Sequence, residues 1–173
     1  MHARPALRPH LSLPSAARAW PAWAWVAAGG IGLGLADLAF AALYWFLHSG
    51  TPPIRIPQAI AGWVLGAHDA RAGGIATALA GVALYCAIVS AMVAGYMRLA
   101  SRWPALHANV AIAGGLYGLA MYELLFRVVL PLVSVPSPSK AMPPSWTLAC
   151  LAAYAGIGIG CAWIARAKAL RDR

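Results

Sequence analysis

Four long apolar runs dominate the chain, and each is long enough to cross a lipid bilayer as a single helix. They cover approximately residues 20–48, 73–97, 105–132 and 146–165. At a rise of about 1.5 Å per residue, roughly 20 residues cross the hydrocarbon of a bilayer. Strands of a membrane barrel would be about 10 residues long and would alternate in polarity. The sequence therefore predicts an all-α fold, an integral membrane four-helix bundle.

The composition excludes most other classes of protein. Of the 173 residues, 62% are apolar and 10% are charged, whereas charged residues make up about 25% of a soluble domain. The net charge is +9, but the basic residues are spread singly through the gaps between the runs. Nucleic-acid binding, which needs a basic patch on one face, is therefore not expected. The expected partner is the lipid bilayer.

The gaps between the runs predict the orientation of the chain. Lys and Arg accumulate in cytoplasmic segments of membrane proteins. Nine of them lie in the two tails and the middle loop, and three lie in the other two loops, so both termini are expected in the cytoplasm, on one side of the inner membrane. The nine are Arg4, Arg8, Arg18, Arg98, Arg102, Arg166, Lys168, Arg171 and Arg173, and the three are Arg55, Arg71 and Lys140. Residues 1–19 are expected to form a basic, disordered tail, and residues 167–173 a second basic tail.

The connector between the first two runs contains a shorter amphipathic segment. Ile56, Ile60, Trp63 and Val64 fall on one helical face, and Pro57 suits a first helical turn. This pattern predicts a short interfacial helix over about 56–68, with a re-entrant segment as the alternative.

Three formal charges are expected at membrane depth, namely Asp37, Glu123 and Arg127. Each costs about 2.5–3.5 kcal/mol at the centre of a membrane helix, so each should face the bundle or a partner. Glu123 and Arg127 are four residues apart and share a helix face. If the first and third helices are neighbours, the three charges can meet in one polar cluster near Tyr117 and Tyr122. That cluster neutralises itself and locks the bundle, or lines a polar path, or lies at an exposed position that another subunit covers.

Small residues recur at a spacing of four on three of the runs. Glycine lets helix backbones approach closely in a membrane, where close packing drives helix association. A phosphate-binding loop is not expected, because no strand precedes the glycines. The predicted packing pairs are Gly30 and Gly34, Gly114 and Gly118, and Gly156 and Gly160.

Signatures of cofactors and catalysis are lacking in the sequence. His48 and His107 fall at opposite ends of two runs, so a haem held by two histidines is not expected. Cys86, Cys150 and Cys161 lie inside apolar runs without metal-ligand spacing. We predict no cofactor, no metal and no enzymatic activity.

Two functions remain open from these residues. The first is a small multi-pass inner-membrane protein that passes protons, cations or a small solute, or serves envelope homeostasis, as a homo-oligomer. The second is a non-catalytic accessory or structural subunit of a membrane complex, docked through its intramembrane charges.

The order of these parts resembles the YagU-like family of small four-span bacterial inner-membrane proteins. The resemblance is carried by the glycine-rich segment 29–34, the Pro52-Pro53 pair, the third run with Gly115 and Gly118, and its Pro131-Leu132 ending. It implies a location in a bacterial inner membrane, and it implies no known chemistry.

Overall fold

The computed structural model describes residues 20–135 and 143–172, which form helices joined by short connections. The helices are α1 (Ala22–Ser49), α2 (Arg55–Leu65), α3 (Ala67–Ala72), α4 (Gly74–Arg102), α5 (Val110–Leu124), α6 (Leu130–Val133) and α7 (Pro144–Arg171). A 3-10 turn, Pro104–His107, precedes α5, and a π-helical turn, Leu125–Val129, joins α5 to α6. The predicted tail 1–19 and most of the proline-rich loop before α7 lie outside the described residues.

Four of these segments are long and apolar enough to cross a membrane. They are α1, α4, the continuous segment Val110–Val133 and α7. The prediction of an all-α chain with four helices of spanning length is confirmed. α7 continues to Arg171, through most of the predicted second tail, because Lys168 pairs with Asp172 one turn later and basic groups suit the negative end of a helix.

Glycines let two pairs of long helices approach closely. α1 packs on α4 where Gly30 faces Ser90, and a Cβ on that glycine would overlap the Ser90 Cα. α5 packs on α7 where Gly118 and Gly158 meet, and a Cβ on Gly158 would lie 2.7 Å from the Gly118 Cα. Backbone lies where a side chain would otherwise stand, so these contacts depend on glycine.

α2 and α3 lie across one end of the bundle, which we call the α2 end. The predicted single helix over 56–68 is divided at Gly66, whose φ of +84° lies in the left-handed region. α2 packs mainly on α4, because Gly81 leaves room for the Pro57 carbonyl. α2 therefore caps the groove between the long helices.

The opposite half of the bundle is densely packed. Val89, Val93 and Cys161 are almost completely buried there. Tyr96 is also buried and packs edge-on against Tyr117 with ring centroids 5.1 Å apart. This layer closes the bundle below the α2 end.

The third spanning segment changes from α-helix to a π-helical turn near its end. Pro131 has no backbone N–H to donate to the carbonyl one turn earlier. The chain accommodates it with the π-helical turn Leu125–Val129 and then continues as α6.

Candidate functional site

A cavity of about 380 Å³ lies beneath α2, between α1, α4, α7 and the π-helical turn. Its walls are mainly apolar and aromatic, with a carboxylate on one side and two guanidinium groups near the surface. The lining residues used below are Asp37, Trp45, Arg55, Trp63, Arg71, Tyr85, Phe126, Trp146, Cys150 and Tyr154.

Asp37 supplies the carboxylate. It lies near the middle of α1 and is only partly exposed. The Tyr85 hydroxyl on α4 donates a hydrogen bond to its Oδ2 atom, and Tyr85 itself is 4% exposed. A carboxylate offers about four acceptor positions, and Tyr85 uses one of them. Asp37 can therefore accept a hydrogen bond from a molecule in the cavity.

Arg55 is placed at the mouth of the cavity by a buried glutamine. Gln58 is 3% exposed. Its Nε2 donates to the Gly74 carbonyl at 2.9 Å, and its Oε1 accepts from Arg55 Nη1 at 3.0 Å. Both ends of the buried amide are thus used, as burial of a polar group requires. The first bond fastens α2 to the start of α4, and the second orients the guanidinium.

Arg71 on α3 is the second cation of the lining. Arg55 and Arg71 are both exposed, so the cavity reaches the surface between them. Guanidinium groups recognise carboxylate and phosphate through paired N–H donors. The mouth can therefore hold an anionic group at the α2 end.

Aromatic side chains form the middle of the cavity. Trp45 on α1 and Trp146 on α7 pack with ring centroids 5.2 Å apart. Trp63 on α2 packs edge-on against Phe126 at 6.4 Å, and Phe126 packs against Tyr154 at 5.9 Å. Rings from four segments enclose a slot that suits an apolar body.

The structure does not bring the three predicted charges together. Glu123 and Arg127 form an ion pair on the third segment, and their side chains are 48% and 76% exposed. Asp37 faces the cavity and bonds to Tyr85. The reason is the helix arrangement, because α1 packs on α4 and α7, whereas α5 packs on α7. The condition for a single cluster, contact between the first and third spans, is not met.

The two predicted tyrosines also separate. Tyr117 lies in the densely packed half, where its hydroxyl donates to the Met92 carbonyl at 2.8 Å. Tyr122 packs against Phe126 with centroids 4.8 Å apart and against Tyr154 at 5.4 Å. Tyr122 therefore lies behind the aromatic wall, while Tyr117 is remote from the cavity.

Five of the six predicted packing glycines face a neighbouring helix, and one does not. Gly30 faces Ser90, and Gly34 faces Cys86, at the α1–α4 contact. Gly114 and Gly118 lie against the backbone of α7. Gly156 faces open space, which corrects its assignment as a packing residue, and Gly158 occupies the contact instead. Gly160 faces the Leu33 side chain.

Sequence reasoning missed the partner of Asp37, although a signal for it exists. Asp37 lies about 12 residues before the end of α1, and Tyr85 lies about 11 residues after the start of α4. Equal counts from a connector place two residues of antiparallel helices at the same depth. The contribution of Arg55 and Arg71 had no comparable signal, because it depends on how α2 folds back over the bundle.

Comparisons with known proteins gave no match to a protein-family model, to a curated protein or to a solved structure. The resemblance to YagU-like proteins stays a prediction.

Proposed function

We propose that the chain is a multi-pass protein of the bacterial inner membrane whose cavity binds a small amphipathic solute. In this proposal α2 and α3 lie on the outer side and both termini lie in the cytoplasm, in keeping with the distribution of Lys and Arg. The resemblance to YagU-like proteins supports the bacterial location. Solute binding is the first step of small-solute passage across the bundle.

One observation carries the proposal. A carboxylate with unused acceptor positions, Asp37, and two guanidinium groups, Arg55 and Arg71, line the same aromatic slot. A charged group in an apolar bundle is costly and marks a substrate or ion path more often than a packing role. The solute that fits has an anionic group for the mouth, an apolar body for the slot and a hydrogen-bond donor for Asp37.

The closed half of the bundle favours a binding site over an open pore. The buried layer around Val93, Tyr96 and Cys161 separates the cavity from the end of the bundle opposite α2. Proton or cation conduction through a continuous water-filled path is therefore a weaker proposal than solute binding. Passage requires this layer to open after the solute has bound.

A matched pair of ligands tests the proposal. We expect 10-hydroxydecanoate to bind the purified protein in lipid nanodiscs more tightly than decanoate, since only the first can donate to Asp37. Asp37→Asn should weaken binding of the hydroxy acid about tenfold and leave decanoate binding unchanged. Arg55→Gln should weaken binding of both acids. Empty nanodiscs correct for partition into lipid.

Matched control variants lie outside the cavity. Asp69, which is exposed and pairs with His68, controls for Asp37, and Arg102 at the other end of α4 controls for Arg55. Asp69→Asn and Arg102→Gln should bind both acids as the unaltered chain does. Equal affinity for the two acids in every variant would reject the assignment of Asp37 to the ligand.

A second candidate function is the non-catalytic accessory subunit. The sequence predicted docking through three intramembrane charges. Because Asp37 faces the cavity, only the Glu123–Arg127 pair is available at the surface for a partner. The exposure of that pair favours an association at this surface. A stable co-purifying protein, together with no binding of either acid, would support this candidate over the first.

A further inference from the structure

The third spanning segment carries an ion pair that residues 20–135 and 143–172 leave exposed. The Glu123 and Arg127 side chains are 48% and 76% exposed. α5 uses its Gly114 and Gly118 face to pack on α7. Of the four spanning segments, Val110–Val133 buries the smallest share of its most apolar stretch, 6% against 17–33% for the others.

The position of the pair along the segment makes its exposure informative. Glu123 lies about 13 residues after Val110 and about 10 residues before Val133, close to the middle of the segment. Arg127 is one turn nearer to the α2 end. In the proposed membrane orientation, both groups would face hydrocarbon. Intramembrane charges are instead found facing a bundle interior, a water-filled cavity or a partner.

Pairing within one helix does not use the capacity of either group. Arg127 Nε contacts Glu123 Oε2, while a guanidinium has five N–H donors and a carboxylate has about four acceptor positions. Lipid tails provide no hydrogen-bond partner. The remaining donors and acceptors therefore require protein on the other side.

The two signs on one helix turn favour a second copy of this chain as that protein. A partner that offered one sign would satisfy Glu123 or Arg127 and leave the other group facing a like charge or lipid. A second copy of the same chain, related by a two-fold axis along the membrane normal, offers both signs in the complementary order. In parallel coiled coils, opposite charges that flank the contact likewise form ion pairs between the helices.

We infer that the Glu123–Arg127 face of the third spanning segment is the contact between two copies of this chain, in which Glu123 of each copy pairs with Arg127 of the partner subunit. The exposed Ile112 and Leu116 continue the same side of α5 toward the cytoplasmic end. The inference rests on the proposed membrane orientation and on no feature of the cavity.

Neutral variants that complement each other in trans test the contact. Association is measured by energy transfer between donor- and acceptor-labelled chains in vesicles of phosphatidylethanolamine and phosphatidylglycerol. Glu123→Gln and Arg127→Gln should each associate about tenfold more weakly than the unaltered chain. A mixture of the two should associate more tightly than either alone, because the mixed dimer regains one Glu–Arg pair between subunits. Neither variant has the intrahelical pair, so this gain reports only contact between copies.

Two controls make the experiment specific. Lys168 and Asp172 form another pair four residues apart, near the end of α7, and Lys168→Gln and Asp172→Asn should leave association unchanged. Leu116 on α5 and Leu79 on α4 are equally exposed, at 64%. Under oxidation, Leu116→Cys should form a disulfide-linked dimer above the background of the native cysteines, and Leu79→Cys should not.

The inference fails if the unaltered chain is monomeric at every protein-to-lipid ratio, or if the mixture associates no better than its components. Crosslinking through position 79 in preference to 116 would also overturn it. Loss of acid binding by the cavity would leave this result unaffected, so failure of the proposed function and failure of the dimer contact are distinguishable.

Discussion

The Tyr85 hydroxyl on α4 donates a hydrogen bond to the Asp37 carboxylate on α1. This bond joins α1 and α4, the two long helices that α2 and α3 connect in the chain. It also fixes the direction in which the carboxylate presents its remaining acceptor positions to the cavity. One side chain thus contributes both to the packing of α1 on α4 and to the chemistry of the cavity wall.

Removing the Tyr85 hydroxyl should destabilise the bundle. Tyr85→Phe leaves a partly buried carboxylate without its donor, and we expect a loss of about 1–3 kcal/mol in the free energy of unfolding. Tyr44→Phe is the matched control, because the Tyr44 hydroxyl bonds to the exposed Ser145 hydroxyl at 2.8 Å. That variant should change stability by less than about 0.5 kcal/mol. Unfolding in detergent measures both, and equal losses would contradict the structural role of the Asp37–Tyr85 bond.

Two glycines of α7 should respond to alanine in opposite directions. Gly158→Ala places a Cβ 2.7 Å from the Gly118 Cα and should cost about 1–3 kcal/mol by forcing the helices apart. Gly156 has no heavy atom within 4 Å of an added Cβ, so Gly156→Ala should be neutral or stabilise by up to about 1 kcal/mol through helix propensity. Thermal unfolding of the two purified variants decides the matter. A larger loss of stability for Gly156→Ala than for Gly158→Ala would contradict the packing of the Gly158 face of α7 against α5.

The Gln58 side chain should hold α2 on the bundle. Gln58→Ala removes the bond to the Gly74 carbonyl and the acceptor for Arg55. We expect amide hydrogen exchange in α2 to accelerate about tenfold or more, as local opening becomes easier by about 1–3 kcal/mol. Val64→Ala, at an exposed position of the same helix, should leave the exchange rates nearly unchanged. Unaltered protection in Gln58→Ala would show that apolar contacts alone fasten α2.

Accessibility from the two sides of the membrane should follow the proposed orientation. His68 on α3 and Ser101 near the end of α4 are exposed at opposite ends of the bundle. In intact cells, an impermeant maleimide should label His68→Cys, and it should label Ser101→Cys only after lysis. The unaltered chain gives the background from its three native cysteines. Labelling of the two positions in the reverse order would invert the orientation, and labelling of both in intact cells would reject the spanning arrangement.

Hydropathy predicted the long helices because each spanning run is longer than any other apolar stretch and is bounded by prolines or basic residues. The same reasoning placed Glu123 and Arg127 on one face correctly, since helical spacing alone determines that relationship. It did not determine which neighbour the face meets. Asp37 and Glu123 share a similar depth, yet they lie apart because α5 packs on α7 and not on α1.

The cavity was harder to predict than the helices. Trp45 is typical of an aromatic belt at the end of a span, and in the structure it lines the cavity because α2 folds over it. Arg55 and Arg71 entered the sequence argument only as loop charges that set orientation. Their shared position depends on the bend at Gly66 and on the buried Gln58 bonds, which are tertiary features without a periodic pattern.

The crossing of α5 and α7 has a consequence for how this protein can diverge over time. A single methyl group at Gly118 or Gly158 meets main chain, and main chain cannot be exchanged for a smaller residue. These two positions should therefore tolerate fewer substitutions than the cavity wall, where one side of each side chain faces empty space. Descendants of one ancestral bundle can in this way acquire new ligands while the geometry of the helix crossing is inherited unaltered.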